Sequence, residues 1–174
     1  MTNSTQKIAI FVDVQNIYYT SRHTFARHFN YQKFWDEIAA QGEIVAAYAY
    51  AIDRGDSKQA QFQQILRSIG FEVKLKPFIQ RRDGSAKGDW DVGITIDVLA
   101  AAPEVDTIVL ASGDGDFALL LEAARHKYLC RSQVYGVDKL TAAGLIDSCD
   151  VYRQINESLL LWSLIMIKIE LVSG

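Results

Sequence analysis

Short apolar runs alternate with helix-like segments along the chain, and this alternation limits the fold more than any other feature of the sequence. Apolar runs separated by helices are typical of βαβ units, in which successive strands pair in parallel. We therefore predict an α/β fold with a mainly parallel central sheet. The predicted strands cover residues 7–14, 43–51, 71–78, 106–112, 129–136 and 151–155.

The segments between these runs have the spacing and the end signals of helices. Apolar residues recur at helical spacing over residues 56–69, and Gly70 follows them as a C-terminal cap. The third strand contains Pro77 and is predicted near a sheet edge, because proline cannot donate to a ladder. A polar loop is expected over residues 80–88. The predicted helices cover residues 16–40, with a break near Asn30, then 56–69, 89–102, 116–127 and 138–147, and a last helix starts at Asn156.

Length and composition indicate one domain without a membrane span. A chain of 174 residues with 49% hydrophobic content can bury a full core, so we predict a single domain over residues 1–174. The most apolar stretch, residues 159–169, is interrupted by Ser163 and Lys168 and is shorter than the ~20 residues that cross a bilayer. The two cysteines lack C-x-x-C spacing and the polar start lacks a signal-peptide core, which favours a cytoplasmic protein with reduced thiols.

Two aspartates separated by one glycine, Asp114 and Asp116, follow the predicted strand 106–112. An α/β sheet binds its ligands outside the carboxyl ends of its strands. Two carboxylates that repel each other at such a strand-to-helix turn form a site that can collect a divalent cation. This turn is therefore the first candidate for the functional site.

The first strand ends in another acid, Asp13, followed closely by Asn16. A carboxylate at the end of an apolar strand is costly unless a partner or a cation neutralises it. Asn16 has three open interpretations: it ligates a metal, donates to a phosphate oxygen, or caps the following helix. If the first strand pairs with strand 106–112, Asp13 emerges at the same sheet edge as Asp114 and Asp116.

Asp89 and Asp91 open the helix predicted over residues 89–102. Aspartates in a first helical turn accept hydrogen bonds from free backbone N–H groups, so capping is an equal alternative for Asp89. Asp91 lies further inside the helix and is the better candidate ligand. Asp97 lies too far along the helix to share a face with Asp91, and we expect it to be structural or to support the ligands indirectly.

Convergent carboxylates are typical ligands of Mg²⁺ or Mn²⁺, which prefer oxygen, whereas zinc would call for histidine and cysteine. The 3 histidines are scattered, and none has helical i, i+4 spacing with another. Phosphodiester hydrolysis is the chemistry that a carboxylate cage serves best, because its metal ions activate a water and stabilise the leaving oxygen.

A basic segment precedes Asp91 and offers contacts for a nucleic acid, because cations bind backbone phosphates and aromatic side chains stack on unpaired bases. A solvated loop is an equal alternative for Arg81 and Arg82, whereas Lys87 is favoured as functional because it lies next to the acidic site. The net charge of -3 neither supports nor excludes RNA. The segment carries Lys74, Lys76, Phe78, Arg81, Arg82, Lys87 and Trp90.

The turn at residues 113–118 also matches the dinucleotide-binding pattern G-x-G-x-x-[GA]. Its variable positions include acids that would repel a pyrophosphate, and it lies late in the chain, whereas that fingerprint usually lies in the first βα unit. We therefore interpret the match as a coincidence. P-loop and nucleophile-elbow patterns do not occur in the sequence, and an aspartyl phosphatase would need an acid where Gln15 stands.

Three motifs in this order make the chain similar to NYN domains of the PIN-like nuclease superfamily, in particular to the bacterial LabA-like group. Together they span nearly the whole chain from Lys7 to about Ile155. The resemblance implies a Rossmann-like three-layer α/β/α fold and metal-dependent cleavage of RNA. The motifs are Phe11-Val12-Asp13-Val14-Gln15-Asn16, residues 87–97 (KGDWDVGITID) and Ser112-Gly113-Asp114-Gly115-Asp116-Phe117.

The leading hypothesis is a Mg²⁺- or Mn²⁺-dependent endoribonuclease acting on single-stranded or structured RNA. The alternative is a non-catalytic RNA-binding or regulatory module that uses the same acidic pocket. In the nuclease, carboxylates hold the metal and position water, while polar and basic side chains contact the substrate. The predicted catalytic and metal-holding residues are Asp13, Asp91, Asp114 and Asp116, with Asp89 as a further metal candidate, and the predicted substrate contacts are Asn16, Lys87, Ser112, Arg81 and Arg82.

The predicted terminal helix, residues 156–174, is apolar on almost every side. A helix of this kind is either fully buried or partly covered by a partner. Packing onto the sheet is the favoured interpretation, and a homodimer contact is the alternative.

Overall fold

Six parallel strands form the central sheet of the computed structural model, which describes residues 5–77, 79–80, 82, 86–87 and 89–162. A separate antiparallel pair of two-residue strands, Ile79–Gln80 and Ala86–Lys87, lies outside this sheet. The strands are β1 (Lys7–Asp13), β2 (Glu43–Asp53), β3 (Glu72–Pro77), β4 (Ile79–Gln80), β5 (Ala86–Lys87), β6 (Thr107–Ala111), β7 (Arg131–Gly136) and β8 (Val151–Gln154).

The order of the strands in the sheet is β3-β2-β1-β6-β7-β8, and every neighbouring pair is parallel. The predicted α/β fold with a parallel sheet is confirmed, and so is the edge position of the third strand. The helices are α1 (Val14–Phe25), α2 (Tyr31–Ala39), α3 (Ser57–Ile69), α4 (Asp91–Ala101), α5 (Ala118–Tyr128) and α6 (Ala143–Ser148).

The helices cover both faces of the sheet and form a separate hydrophobic core on each. The alternation of side chains along β1 shows this division, because Ile10 belongs to one core and Phe11 to the other. Ile17, Phe34 and Leu66, from the first three helices, belong to the core of Ile10. The core of Phe11 contains Ile94, Leu121 and Leu145 from the last three. This three-layer arrangement is the one that the PIN-like resemblance implies.

Most predicted helix ends agree with the structure, and the differences have local causes. The segment 16–40 is two helices, because the Asn30 side chain accepts a hydrogen bond from the Lys33 N–H and starts α2. Gly70 ends α3 with a φ of 137°, a conformation that favours glycine. The polar loop expected over residues 80–88 contains β5 and part of β4.

The predicted terminal helix differs from the structure over the residues that can be compared. A 3-10 turn at Glu157–Leu159 follows Asn156, and Leu160 then forms an isolated bridge with Phe29. Leu159 and Leu160 are both 3% exposed, and the backbone there bonds to the segment before α2 instead of continuing a helix. Residues 163–174 lie outside the described residues, and so does most of the proposed homodimer contact. None of the described helices is long and apolar enough to cross a membrane.

Candidate active site

The candidate site lies where β1 and β6 end side by side. These two strands pair in parallel, which meets the condition stated for Asp13 to emerge at the same sheet edge as Asp114 and Asp116. Asp13 follows Val12 where Ser112 follows Ala111. The chain connections run in opposite directions on either side of this strand pair, which makes it the topological switch point of the sheet. Crevices at such a point are where open α/β sheets bind ligands.

Three carboxylates converge above this edge. Asp91 is the first residue of α4, and Asp114 and Asp116 lie in the turn after β6. One carboxylate oxygen from each lies within 4.8 Å of the other two. Asp114 also accepts a 2.9 Å hydrogen bond from the Asp116 N–H, which starts a 3-10 turn and fixes the spacing of the pair.

Asp13 and Asp89 border the same cavity but lie outside this three-carboxylate group among the described residues. The cavity holds about 240 Å³ and is also lined by Asp91 and Asp114. Asp89 accepts a long hydrogen bond, 3.4 Å, from the Asp91 N–H. The N-cap residue of α4 is Trp90 and has no side-chain capping bond, so Asp89 does not occupy the cap position, although it accepts from the first N–H of the helix. The role of Asp89 as a metal ligand stays a prediction.

Asp13 has two hydrogen-bonding partners that hold its carboxylate in place. It caps α1 by accepting from the Asn16 N–H at 3.4 Å, and it accepts from the Ser112 hydroxyl at 3.1 Å. The capping alternative for Asn16 is therefore wrong, because Asp13 occupies that role. The Asn16 side chain instead reaches across the crevice and accepts a 2.9 Å hydrogen bond from the Gly113 N–H.

The structure corrects the substrate contact predicted for Ser112. This residue is 0% exposed, and its hydroxyl bridges two strand ends by donating to Asp13 and accepting from the Asp114 N–H at 3.2 Å. A side chain that is buried beneath the carboxylates cannot meet a substrate directly. Ser112 therefore positions Asp13 and Asp114.

The electrostatics of the crevice favour a positive charge. Burial raises the pKa of Asp13 to about 6, although the hydrogen bonds from Asn16 and Ser112 lower it. Burial also raises the pKa of Asp91 to about 7, and the neighbouring charge of Asp114 adds to this effect. Carboxyl groups that resist ionisation near neutral pH are stabilised as anions by a cation. The arrangement therefore suits the capture of a metal ion.

The donor set fits Mg²⁺ or Mn²⁺. Its three convergent groups are all carboxylates, and hard cations prefer such oxygen ligands. Neither histidine nor cysteine belongs to the three-residue group, so the described residues give no zinc-like donor set. Asp91, Asp114 and Asp116 are the residues that would hold such an ion.

Two lysines of the basic segment before Asp91 make structural contacts. Lys74 pairs with Asp97 at 2.7 Å, and Asp97 also accepts from the Tyr50 hydroxyl, in agreement with the structural role expected for Asp97. Lys76 donates to the Asp89 carbonyl at 3.0 Å and lies over the ring of Trp90.

The predicted substrate contacts of three basic residues stay predictions. Lys87 belongs to β5, which precedes α4, and Arg82 is an exposed turn residue. Arg81 lies outside the described residues.

Three residues of α1 that the sequence analysis did not single out also line the cavity. They lie near Asn16, and the i+3 and i+4 spacing of a helix places two of them on its face. That spacing was the available signal, but only the paired sheet edge shows that this face borders the acids. These residues are Gln15, Tyr19 and Thr20.

The glycines of the acidic turn serve close packing. A Cβ atom on Gly113 would lie 2.5 Å from the backbone oxygen of Leu140, and one on Gly115 would lie 2.8 Å from the Ala142 Cβ. The Ala142 N–H donates to the Gly113 carbonyl at 3.0 Å, which fixes the turn against this segment. The glycine spacing that imitates a dinucleotide-binding pattern thus has a packing explanation.

Replacing Gly113 by alanine is expected to destabilise the protein by about 1–3 kcal/mol, because the new methyl group meets backbone that cannot rotate away. Thermal unfolding should show a fall in Tm of about 2–10 °C. Gly144→Ala is the matched control, since its Cβ would meet nothing within 4 Å. Equal Tm values for the two variants would contradict the packing explanation.

Comparisons with known proteins agree with this geometry. A family model described as NYN domain matches residues 7–156. The chain is 31% identical over 162 residues to the low amplitude and bright protein LabA of Synechococcus elongatus, covering 87% of this chain and 84% of LabA.

A solved structure with a higher sequence identity has the same fold. It is the crystal structure of a protein of unknown function from Vibrio parahaemolyticus, 53% identical to this chain, with a TM-score of 0.88. The match covers 92% of this chain and 99% of the Vibrio protein. With the family match over most of its length, the chain belongs to the NYN-domain family of PIN-like nucleases.

Proposed function

We propose that this protein is a ribonuclease that hydrolyses RNA phosphodiester bonds with the help of Mg²⁺ or Mn²⁺. The observation that carries the proposal is the convergence of Asp91, Asp114 and Asp116 at the topological switch point of an NYN-domain sheet. Folding alone gives no reason to bring three carboxylates within 4.8 Å of one another.

Each residue of the site has a distinct task in this proposal. Asp91, Asp114 and Asp116 hold the ion, which when bound would lower the pKa of a water and stabilise the charge on the leaving oxygen. Asp13 borders the same cavity and orients a water molecule by accepting a hydrogen bond from it. Ser112 keeps Asp13 and Asp114 aligned from below.

The remaining predicted contacts complete the substrate side of the proposal. The Asn16 Oδ1 atom is held by Gly113, which leaves the amide N–H groups of Asn16 as the donors for a phosphate oxygen. The positive charges of Lys87, Arg81 and Arg82 are assigned to the phosphates of the RNA backbone in this proposal. Internal cleavage, a further metal ligand at Asp89 and a cytoplasmic location belong to the same proposal.

The test is an incubation of the pure protein with single-stranded and structured RNAs in Mn²⁺, in Mg²⁺ and in EDTA. Cleavage is expected with either ion and is expected to stop in EDTA, because the ion is what lowers the pKa of the attacking water and stabilises the leaving oxygen. DNA of the same sequence tests the choice of sugar. RNA that binds tightly but stays intact with every ion would contradict the nuclease proposal and favour the binding module.

A further inference from the structure

An exposed tyrosine stands at the wall of the acidic cavity. Tyr19 lies on α1 and is 52% exposed, yet it lines the same cavity as Asn16, Asp13 and Asp114. An aromatic ring that faces solvent beside a candidate reaction site offers a large apolar face that the fold itself does not cover.

The ring next to Tyr19 is held in place by several contacts. Tyr18 meets Tyr19 edge to face, with ring centroids 5.4 Å apart, and stacks on His28 at 5.5 Å. Arg22 donates to the Tyr18 hydroxyl at 2.6 Å. Tyr19 therefore packs against a ring that its own contacts hold in place. This packing reduces the side-chain entropy that Tyr19 loses when a ligand packs on it.

The same surface of α1 carries a cation one turn away. Tyr19 and Arg22 are three residues apart on the helix and are therefore neighbours on its surface, and Arg22 is exposed. One N–H of Arg22 donates to Tyr18, and a guanidinium has five such donors. The surface thus combines an aromatic face with a donor group suited to phosphate.

The ligand that fits this combination is a single nucleic-acid strand. Every base has a face that can stack on a tyrosine, and such stacking contributes about 1–3 kcal/mol per base. In a duplex those faces are covered by neighbouring bases, so a paired strand could not use the ring. The acids of the cavity repel a phosphate unless a cation is present, which gives an uncharged stacking contact particular value here.

We propose that Tyr19 is a stacking platform for one base of a single-stranded RNA substrate, and that Arg22 contacts the phosphate next to that base. The inference rests on the proposed function and specifies the form of RNA that the site accepts. It also sets a direction, because the strand leaves the three carboxylates along α1 and not across the α4 side.

The matched control for this direction is Ile96. It lies on α4, is 61% exposed and borders a second cavity, which Asp91 and Asp116 also line but Tyr19 does not. Both Tyr19→Ala and Ile96→Ala remove exposed apolar surface next to the acids. They differ in the helix and the cavity that they alter, α1 for Tyr19 and α4 for Ile96.

The experiment measures binding of a short labelled single-stranded RNA in Ca²⁺, with a gel to confirm that the RNA stays intact. Tyr19→Ala is expected to raise Kd about 5–100-fold, whereas Tyr19→Phe, which keeps the ring, and Ile96→Ala stay within about twofold. Oligonucleotides with one abasic position are then compared. At one position the wild type loses affinity and Tyr19→Ala shows no further loss, which identifies the stacked base.

The outcomes separate this inference from the proposed function. If the wild type cleaves RNA in Mn²⁺ but Tyr19→Ala binds as tightly as the wild type, only the platform is wrong. Weaker binding by Ile96→Ala alone would overturn it as well, by placing the strand on α4. An altered oligomeric mass of Tyr19→Ala with unchanged RNA affinity would assign the surface to a second copy of the chain. A wild type that neither binds nor cleaves RNA contradicts both proposals.

Discussion

The Asp114→Asn variant is expected to lose metal-dependent RNA cleavage by at least about 100-fold, because changes in groups that merely support metal ligands already cost about 10–100-fold. Asp114 is the central acid of the site. It belongs to the three-carboxylate group, raises the pKa of Asp91 and borders the cavity that Asp13 shares. Initial rates of RNA cleavage in Mn²⁺ and calorimetric titration with Mn²⁺ measure the two effects.

Asparagine is the most specific substitution at this position because it preserves the local fold. Its side-chain oxygen can still accept the hydrogen bond from the Asp116 N–H that starts the 3-10 turn, so only the charge is removed. Asp36→Asn provides the control, since the carboxylate of this exposed acid on α2 accepts a hydrogen bond from Gln32 and lies outside the cavity. Cleavage by Asp114→Asn at the rate of the control would remove Asp114 from the mechanism.

The Asp91→Asn variant is expected to be more stable than the wild type in EDTA at pH 8. The pKa of Asp91 is about 7 in the folded protein and lies near 3.8 in the unfolded chain, so the folded state holds the proton more tightly. Stability that depends on Asp91 is therefore complete below about pH 4 and is lost as the pH rises through about 7. Removing the carboxylate removes this loss, which after solvent screening amounts to about 1–2 kcal/mol.

Thermal unfolding at a series of pH values tests this expectation. In EDTA, the two proteins should unfold at similar temperatures at pH 4, and Asp91→Asn should unfold about 2–8 °C higher at pH 8. Saturating Mn²⁺ should reverse the order, because ion binding stabilises the folded wild type. The variant has one ligand fewer and gains less from the ion. A wild type that is the more stable protein at pH 8 without metal would show that Asp91 is not strained by its neighbours.

The sequence predicts the layer architecture well because that architecture depends on local periodicity. The apolar runs at 7–14 and 106–112 mark two buried strands, and Gly70 and Asn30 mark helix ends by their own backbone preferences. Local periodicity does not predict the order of the strands in the sheet. Only the pairing of β1 with β6 brings Asp13 beside the 112–117 turn, and that pairing is a property of the whole sheet.

The roles of individual site residues were harder to predict because they depend on contacts between distant segments. Ser112 and Asp13 are 99 positions apart, and their hydrogen bond turns an expected substrate contact into a buried support. The N–H that Asp13 caps is that of Asn16, the residue for which capping was an open interpretation.

Two further features depended on tertiary context in the same way. Leu159 begins an apolar run that predicts a helix, but its backbone carbonyl accepts from the Asn30 N–H. Tyr19 could be placed beside Asn16 by helical spacing, whereas its exposure at the cavity wall is a consequence of how α1 packs.

The most direct test of the central claim is anomalous diffraction from a crystal soaked in Mn²⁺. The account predicts a peak about 2.1 Å from carboxylate oxygens of Asp91, Asp114 and Asp116, since hard cations of this size bind oxygen at that distance. A second peak beside Asp13 would fit a two-ion site, in which the ions lie about 3.5–4 Å apart. Carboxylates that diverge around ordered water, with no anomalous peak among them, would contradict the claim that this site holds a metal.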